Sequence, residues 1–422
     1  MTDRTVGDLI SACLAALGAT RVIGEPLPGL GHLAVAEPDL ADLLADADGR
    51  LNRVGVSLDA QAVLRVTSCP GAVTEPIDLT DPAAVPTELA RFTGQEIPGA
   101  FSVRLALDLE APAPDGVVPL GLETTLERIR LSPSLAGEVA HIIAGPGVLR
   151  ADAVDDLRAF AARTGWGVVN TFGAKGVLPW DDPLHMATAG LQAEDFRLAG
   201  LVDTLFAVTV GIDPREVPPH DIGTTQQIVL HPRHLASAAD DWPEPTAVPE
   251  RPPLYDRIAA VVRPGYESDA VPLHPARAAR DLGAALGPDA LIVADPGPAG
   301  LWVARALPTE AAGQVLVPAT RAPGTAAAIA IMAGIDGRGA VAVTTDPLEP
   351  MTERLLELAR QLEVPLTVEA WGADAPCDGP RERVATLMET TARPGADVLG
   401  VPVDLAATSE LIEVAGPVTA WQ

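Results

Sequence analysis

The sequence predicts an α/β protein of three domains, each built on a parallel sheet covered by helices. Its 422 residues are more than one hydrophobic core normally holds, which predicts two or three domains. Aromatic residues make up only 3% of the chain and hydrophobic residues 48%, so the cores must be aliphatic, as in helix-covered parallel sheets. Short apolar strands alternate with helical patterns along much of the chain, which is typical of parallel α/β units.

The first domain is predicted over residues 1–120. Its opening helix runs from Thr5, which begins a capping-box pattern with Asp8, to Gly18, which is placed to end the helix. The other predicted elements are a strand over 20–23, one helix and one strand within 40–65, and a strand over 101–109.

The central domain, predicted over residues 121–245, carries the clearest pattern. An apolar strand at 141–144 leads through the tight turn Gly145-Pro146-Gly147 into a helix over 152–163. Further strands are predicted over 167–171, 205–211 and 226–231. The repeated order of strand, turn and helix predicts a parallel sheet.

A proline-rich stretch, residues 246–275, predicts an interdomain linker because it shows little apolar periodicity. The third domain is predicted over residues 276–422. Its elements are a helix over 276–286, a strand over 290–294, a small-residue stretch over 322–334, a strand over 340–344, a helix over 351–362 and a strand over 365–370.

The charge balance and the motifs exclude several classes of protein. With 29 basic and 57 acidic residues the net charge is −28, which would repel nucleic acid and anionic lipid. The first residues lack a signal-peptide pattern, and the longest apolar run, 326–334, is too short to span a bilayer. No G-x-S-x-G, Walker A or H-E-x-x-H motif supports a hydrolase or a kinase. We therefore expect a cytoplasmic protein without nucleic-acid or membrane partners.

Several runs resemble the thiamine-diphosphate enzymes of the acetolactate synthase and 2-oxoacid decarboxylase type. The run Ile142-Ile-Ala-Gly-Pro-Gly-Val148, the helix after it and Val168–Gly176 resemble the family's central domain. Asp295-Pro-Gly297, the glycine–alanine helix start at Gly324 and Val341–Asp346 are similar to its diphosphate-binding domain. Residues 1–120 are similar, at both ends, to a shortened pyrimidine-binding domain.

The resemblance implies thiamine diphosphate and Mg²⁺ as cofactors, and a homodimer or tetramer as the assembly. It places five residues at cofactor-binding positions, namely Gly297, Gly324, Thr345, Asp346 and Met351. Asp346 is also the implied metal ligand. The family's catalytic glutamate comes from the first domain, where Asp59 is the nearest acidic candidate.

The departures from the family pattern concern the cofactor contacts. The family's Gly-Asp-Gly is Thr345-Asp346-Pro347 here, and Pro347 removes a backbone N–H that could face the diphosphate. The family's Asn-Asn pair falls near Trp371-Gly372, and tryptophan offers no oxygen to a hard cation. The segment that carries the glutamate is short. These departures predict that the fold has been kept while its contacts to the cofactor have been lost.

Three functional hypotheses follow. The first is a degenerate homologue without independent catalysis, which binds, scaffolds or pairs with a full-length paralogue that supplies the glutamate. The alternative is an active 2-oxoacid decarboxylase or acetolactate-synthase-like carboligase with a rearranged site that uses Asp346 and Asp59. The third is a sensor with FAD or ADP at Gly145-Pro146-Gly147, where a purely structural turn is the favoured interpretation. Lys175, the only lysine, is likewise interpreted as a structural loop residue.

Overall fold

The contacts within the computed structural model divide the chain into two compact units, Met1–Thr125 and Leu126–Gln422. The first unit contains one sheet and the second contains two. The structure describes residues 4–51, 54–68, 75–91, 99–120, 129–138, 140–201, 204–217, 222–223, 226–243, 249–376, 379–391 and 393–421. None of the helices in these ranges is long and apolar enough to cross a membrane.

The first unit is a six-stranded sheet with three helices. The helices are α1 (Val6–Ala16), α2 (Pro38–Leu51) and α3 (Val85–Ala90). The strands are β1 (Arg21–Gly24), β2 (Gly31–Leu33), β3 (Gly55–Leu58), β4 (Val63–Thr67), β5 (Ile77–Leu79) and β6 (Ala100–Leu105), in the order β2-β1-β3-β4-β6-β5. The capping box of α1 is present as predicted, with Thr5 and Asp8 bonded reciprocally.

Two predictions for this unit are wrong. Its sheet is mixed and not parallel, because β4 runs antiparallel to both β3 and β6. Residues 40–65 contain two strands and not one, since the chain turns at 59–62 between β3 and β4. A connection of four residues can join only antiparallel strands, so the missed turn also explains the wrong strand direction.

The second unit begins with a five-stranded, wholly parallel sheet, as was predicted for the central domain. The strands are β7 (Ala140–Ala144), β8 (Gly167–Thr171), β9 (His185–Ala189), β10 (Phe206–Val210) and β11 (Gln227–Leu230), in the order β11-β10-β7-β8-β9. The helices are α4 (Gly147–Arg150), α5 (Val154–Thr164), α6 (Asp195–Leu198) and α7 (Leu235–Ala238). Only β9 was not predicted, because its sequence His-Met-Ala-Thr-Ala has little β propensity.

The segment predicted as a linker, 246–275, contains the helix α8 (Pro253–Tyr266), so this prediction is wrong. Prolines at the first turn and at Pro264 conceal an apolar spacing of Leu254, Ile258 and Val262. Leu254 and Val262 are buried, and Ile258 packs against two of the hydrophobic clusters of the second unit. The helix therefore packs as part of the second unit.

The third sheet is also five-stranded and parallel. Its strands are β12 (Leu291–Ala294), β13 (Val315–Leu316), β14 (Ala340–Thr345), β15 (Leu366–Trp371) and β16 (Ala396–Val401), in the order β13-β12-β14-β15-β16. The helices are α9 (Pro275–Leu286), α10 (Pro298–Ala306), α11 (Thr325–Ile335), α12 (Pro350–Gln361), α13 (Pro380–Thr391) and α14 (Thr408–Ala415). The small-residue stretch is the buried helix α11, which is apolar on all sides.

Candidate functional site

Five sequence-predicted residues lie at the carboxyl edge of the third sheet, where open α/β sheets bind ligands. Gly297 precedes α10 with φ of 135°, and Gly324 precedes α11 with φ of 75°. Thr345 ends β14, Asp346 follows it, and Met351 lies in the first turn of α12. A Cβ on Gly324 would lie 2.8 Å from Met351 Cγ, so these two residues are in contact. Their role in cofactor binding stays a prediction.

The amino end of α11 is already occupied by carboxylates. Asp295 Oδ1 accepts a hydrogen bond from the N–H of Ala326 at 2.9 Å, and Glu349 Oε2 accepts one from Gly324 at 3.3 Å. Burial raises the pKa of Asp295 to about 6, and the negative charge of Glu349 adds to the rise. First-turn N–H groups of this kind are where a helix holds an anion, so a diphosphate would compete with two side chains.

The residues around Asp346 do not fit a magnesium ion. The Asp346 side chain is exposed, and its backbone N–H donates to the carbonyl of Trp371 at 2.9 Å. Trp371 is fully buried, and its indole Nε1 donates to Glu369, which is paired with Arg383 at 2.6 Å. No group of three or more His, Cys, Asp or Glu side chains suited to a metal occurs within the described ranges. Asp346 is thus a single carboxylate where a hard cation requires several oxygen ligands.

Asp59 lies in the first unit, in the turn between β3 and β4. Its Oδ1 accepts hydrogen bonds from the N–H groups of Gln61 at 2.9 Å and Val63 at 2.8 Å. These bonds make a side-chain-stabilised turn, which is a common structural use of aspartate. A catalytic role for Asp59 stays a prediction.

The glycines of the turn after β7 serve close packing. A Cβ on Gly145 would lie 2.4 Å from Gly211 O, and one on Gly147 would lie 2.7 Å from Gly211 Cα. The two loops therefore approach so closely that glycine is required on steric grounds alone, without any bound phosphate. This contact supports the structural interpretation of the turn.

A pocket of about 750 Å³ lies near the carboxyl edge of the central sheet, lined in part by Gly190, Arg215, Glu216 and Arg321. Arg215 is held by Asp213 through Nε at 2.9 Å and Nη2 at 2.7 Å. The buried Glu216 accepts a hydrogen bond from the Thr171 hydroxyl. Sequence reasoning missed this pocket because its walls come from distant parts of the chain.

Lys175 lies in a loop after β8, as predicted, and it is buried there, with only 5% of its surface exposed. It follows β8 and lines a second pocket, together with His185 and Arg305. Burial lowers the pKa of Lys175 to about 7, and the positive charge of Arg305 lowers it further in the same direction. One signal was available in the sequence, since the only lysine of the chain stands within the apolar run Phe172-Gly-Ala-Lys-Gly-Val-Leu178.

The comparisons with known proteins agree with this architecture. Residues 137–228 match the family model "Thiamine pyrophosphate enzyme, central domain". The acetolactate synthase large subunit of Corynebacterium glutamicum is 27% identical over 274 residues, which are 55% of this chain and only 43% of that protein.

Two solved structures show the same fold over most of the chain. A Mycobacterium smegmatis protein described as thiamin diphosphate-dependent has a TM-score of 0.67 at 15% identity, covering 95% of this chain and 99% of that one. Benzoylformate decarboxylase from Polynucleobacter necessarius has a TM-score of 0.66 with the same identity and coverage. The chain is therefore similar to thiamine-diphosphate-dependent enzymes in its central domain, and it shares the α/β fold of the two solved structures.

Proposed function

We propose that this protein is a degenerate thiamine-diphosphate-enzyme homologue without independent catalysis, which acts as a binding, scaffolding or partner subunit. The observation that carries the proposal is the amino end of α11, where Asp295 and Glu349 take the N–H groups suited to an anion. A side chain tethered in place competes with a free ligand at high effective concentration. Thiamine diphosphate and Mg²⁺ are accordingly proposed to be lost as cofactors.

Charge supports the same proposal. Asp295, Asp346 and Glu349 stand at one edge, and Arg321 is the cation that interacts with Asp295 there. Negative charges on side chains at this edge repel an anionic ligand. A diphosphate would meet this repulsion without a set of metal ligands to offset it. FAD or ADP at the central domain is the less favoured ligand. Arg215 is already paired with Asp213, and Gly145 is required for close packing without a bound phosphate.

The proposed assembly is a homodimer or tetramer, or a complex with a full-length paralogue that supplies the catalytic glutamate. The described residues form sheets of six, five and five strands, which is the kind of scaffold that such an assembly would use. Light scattering on the purified protein, followed by co-purification with a full-length relative, distinguishes the two assemblies.

Activity provides the first test of the proposal. We expect no turnover of a 2-oxoacid such as pyruvate when the purified protein is supplied with thiamine diphosphate and Mg²⁺, because Asp346 stands without further side-chain ligands. The Asp346→Ala variant should behave as the parent does in both stability and product formation. Carbon dioxide or acetolactate formation that disappears in this variant would establish the active-enzyme alternative.

A further inference from the structure

The Lys175 pocket has not been assigned a role in the proposal above. It lies within the second unit, between residues that follow β8, strand β9, helix α8 and the end of α10. It lies apart from the carboxyl edge of β12 and β14. Its lining residues are Lys175, Trp180, His185, Ala187, Thr188, Leu254, Tyr255, Ile258, Ala259, Val262, Arg263, Tyr266, Arg305, Leu307 and Pro308.

The walls are mostly apolar, and no carboxylate is among them. Leu254, Ile258 and Val262 come from the buried face of α8, and Leu307 with Pro308 follows α10. The chain has 57 acidic residues, but the pocket is lined only by neutral and basic side chains. Such a lining favours an anion with an apolar body.

Two of the other basic groups of the pocket are already engaged, and the third, Arg263, is exposed. Arg305 donates to Gln192 Oε1, to the carbonyl of Thr188 and to the carboxylate of Asp195, so its charge already has a partner. The ring of His185 faces two acceptors, Asn170 Oδ1 at 3.0 Å and the carbonyl of Trp180 at 3.3 Å. Burial lowers the pKa of His185 to about 4, so the neutral ring donates to one acceptor and adds no charge.

Lys175 is different because it is buried and its side chain makes no hydrogen bond or ion pair with the described residues. Leaving a buried ammonium group without a partner is costly, whereas an anion in the pocket would supply both a charge partner and a hydrogen-bond acceptor. The lowered pKa of Lys175, about 7, is the expected response of an ammonium group that lacks such a partner.

The pocket size limits the ligand. About 90 Å³ is open to water-sized groups. One water needs about 10–15 Å³ of such volume, so the pocket holds roughly six to nine non-hydrogen atoms. We propose that the Lys175 pocket binds a small aliphatic or aromatic monocarboxylate, with its carboxylate on the Lys175 ammonium and its apolar tail against α8.

The test uses the fact that the chain has one lysine. Protein labelled with ¹³C at lysine Cε gives one lysine side-chain signal, which reports the protonation of Lys175 directly. Isovalerate is expected to shift this signal saturably with a Kd of about 1 mM or tighter, and to raise the pKa of Lys175 by at least about one unit. Isoamyl alcohol, which has the same tail without the charge, should not compete.

Two variants complete the experiment. Lys175→Met should weaken isovalerate binding at least tenfold in a calorimeter, whereas Arg360→Met, which removes an exposed charge from α12, should leave it unchanged. The charged or titratable groups that surround Lys175 are His185, Tyr255, Tyr266, Arg263 and Arg305, with Asp195 beyond Arg305. An unshifted lysine signal, or equal binding by folded Lys175→Met protein, overturns the proposal. Neither result depends on whether thiamine diphosphate binds.

Discussion

Replacement of Lys175 by methionine is expected to stabilise the ligand-free protein near pH 6, by up to about 5 kcal/mol for a pKa lowered by about 3.5 units. Burial lowers the pKa of Lys175 from 10.5 to about 7, so below pH 7 the folded protein keeps a charged ammonium in an apolar pocket. Methionine has a similar shape without that charge. Urea unfolding at several pH values measures the difference in free energy.

The pH dependence of this difference identifies its cause. Between about pH 7 and 10.5 the unfolded chain binds the lysine proton and the folded protein does not, so the stability of the parent rises with pH. The advantage of Lys175→Met should therefore shrink across this range and nearly vanish above it. Arg360→Met is the control, because its exposed charge should change stability by less than about 1 kcal/mol. An advantage that stays constant with pH would contradict burial of the ammonium as its cause.

Replacement of Arg305 by methionine is expected to destabilise the second unit by about 3–5 kcal/mol, because it leaves the Asp195 carboxylate buried and unpaired. Arg305 Nη2 lies 2.5 Å from Asp195 Oδ1, and the two side chains are 1% and 0% exposed. Asp195 also accepts hydrogen bonds from the N–H groups of Leu191 and Gln192. The ion pair thus joins α10, beside the third sheet, to α6, beside the central sheet.

A double-mutant cycle separates the ion pair from simple packing. Arg305→Met combined with Asp195→Asn should cost less than the sum of the two single changes, since neither buried charge then remains alone. The pair Arg393–Asp397 at the surface, at 3.0 Å, provides the control, and Arg393→Met should leave the stability almost unchanged. Strictly additive changes at Arg305 and Asp195 would show that the pair does not hold the two parts together.

Elements that depend on residues close in sequence could be predicted. Elements that depend on contacts between distant residues could not. The capping box at Thr5 and the apolar strand at 141–144 depend on residues close in sequence, and both were predictable. Helix α8 was missed because prolines conceal its apolar spacing, and only its packing on two cores shows it to be a helix of the fold. The direction of β4 depends on a short turn that the pattern did not reveal.

The candidate site follows the same division. The family resemblance gave Gly297, Gly324 and Asp346 as cofactor-binding positions, and strand geometry placed Asp346 at the carboxyl edge of the sheet. The contact of Glu349 with the start of α11 crosses 25 residues and required the structure. Burial of Lys175 depends on α8, which the sequence analysis interpreted as a linker.

Calorimetric titration of the purified protein with thiamine diphosphate and Mg²⁺ tests the central claim most directly. Circular dichroism of the same sample confirms that it is folded. The proposal predicts no saturable heat up to millimolar cofactor, because carboxylates occupy the start of α11 and no group of side chains suited to a metal occurs among the described residues. Saturable binding at micromolar cofactor, lost in Asp346→Ala, would contradict it and establish a working cofactor site.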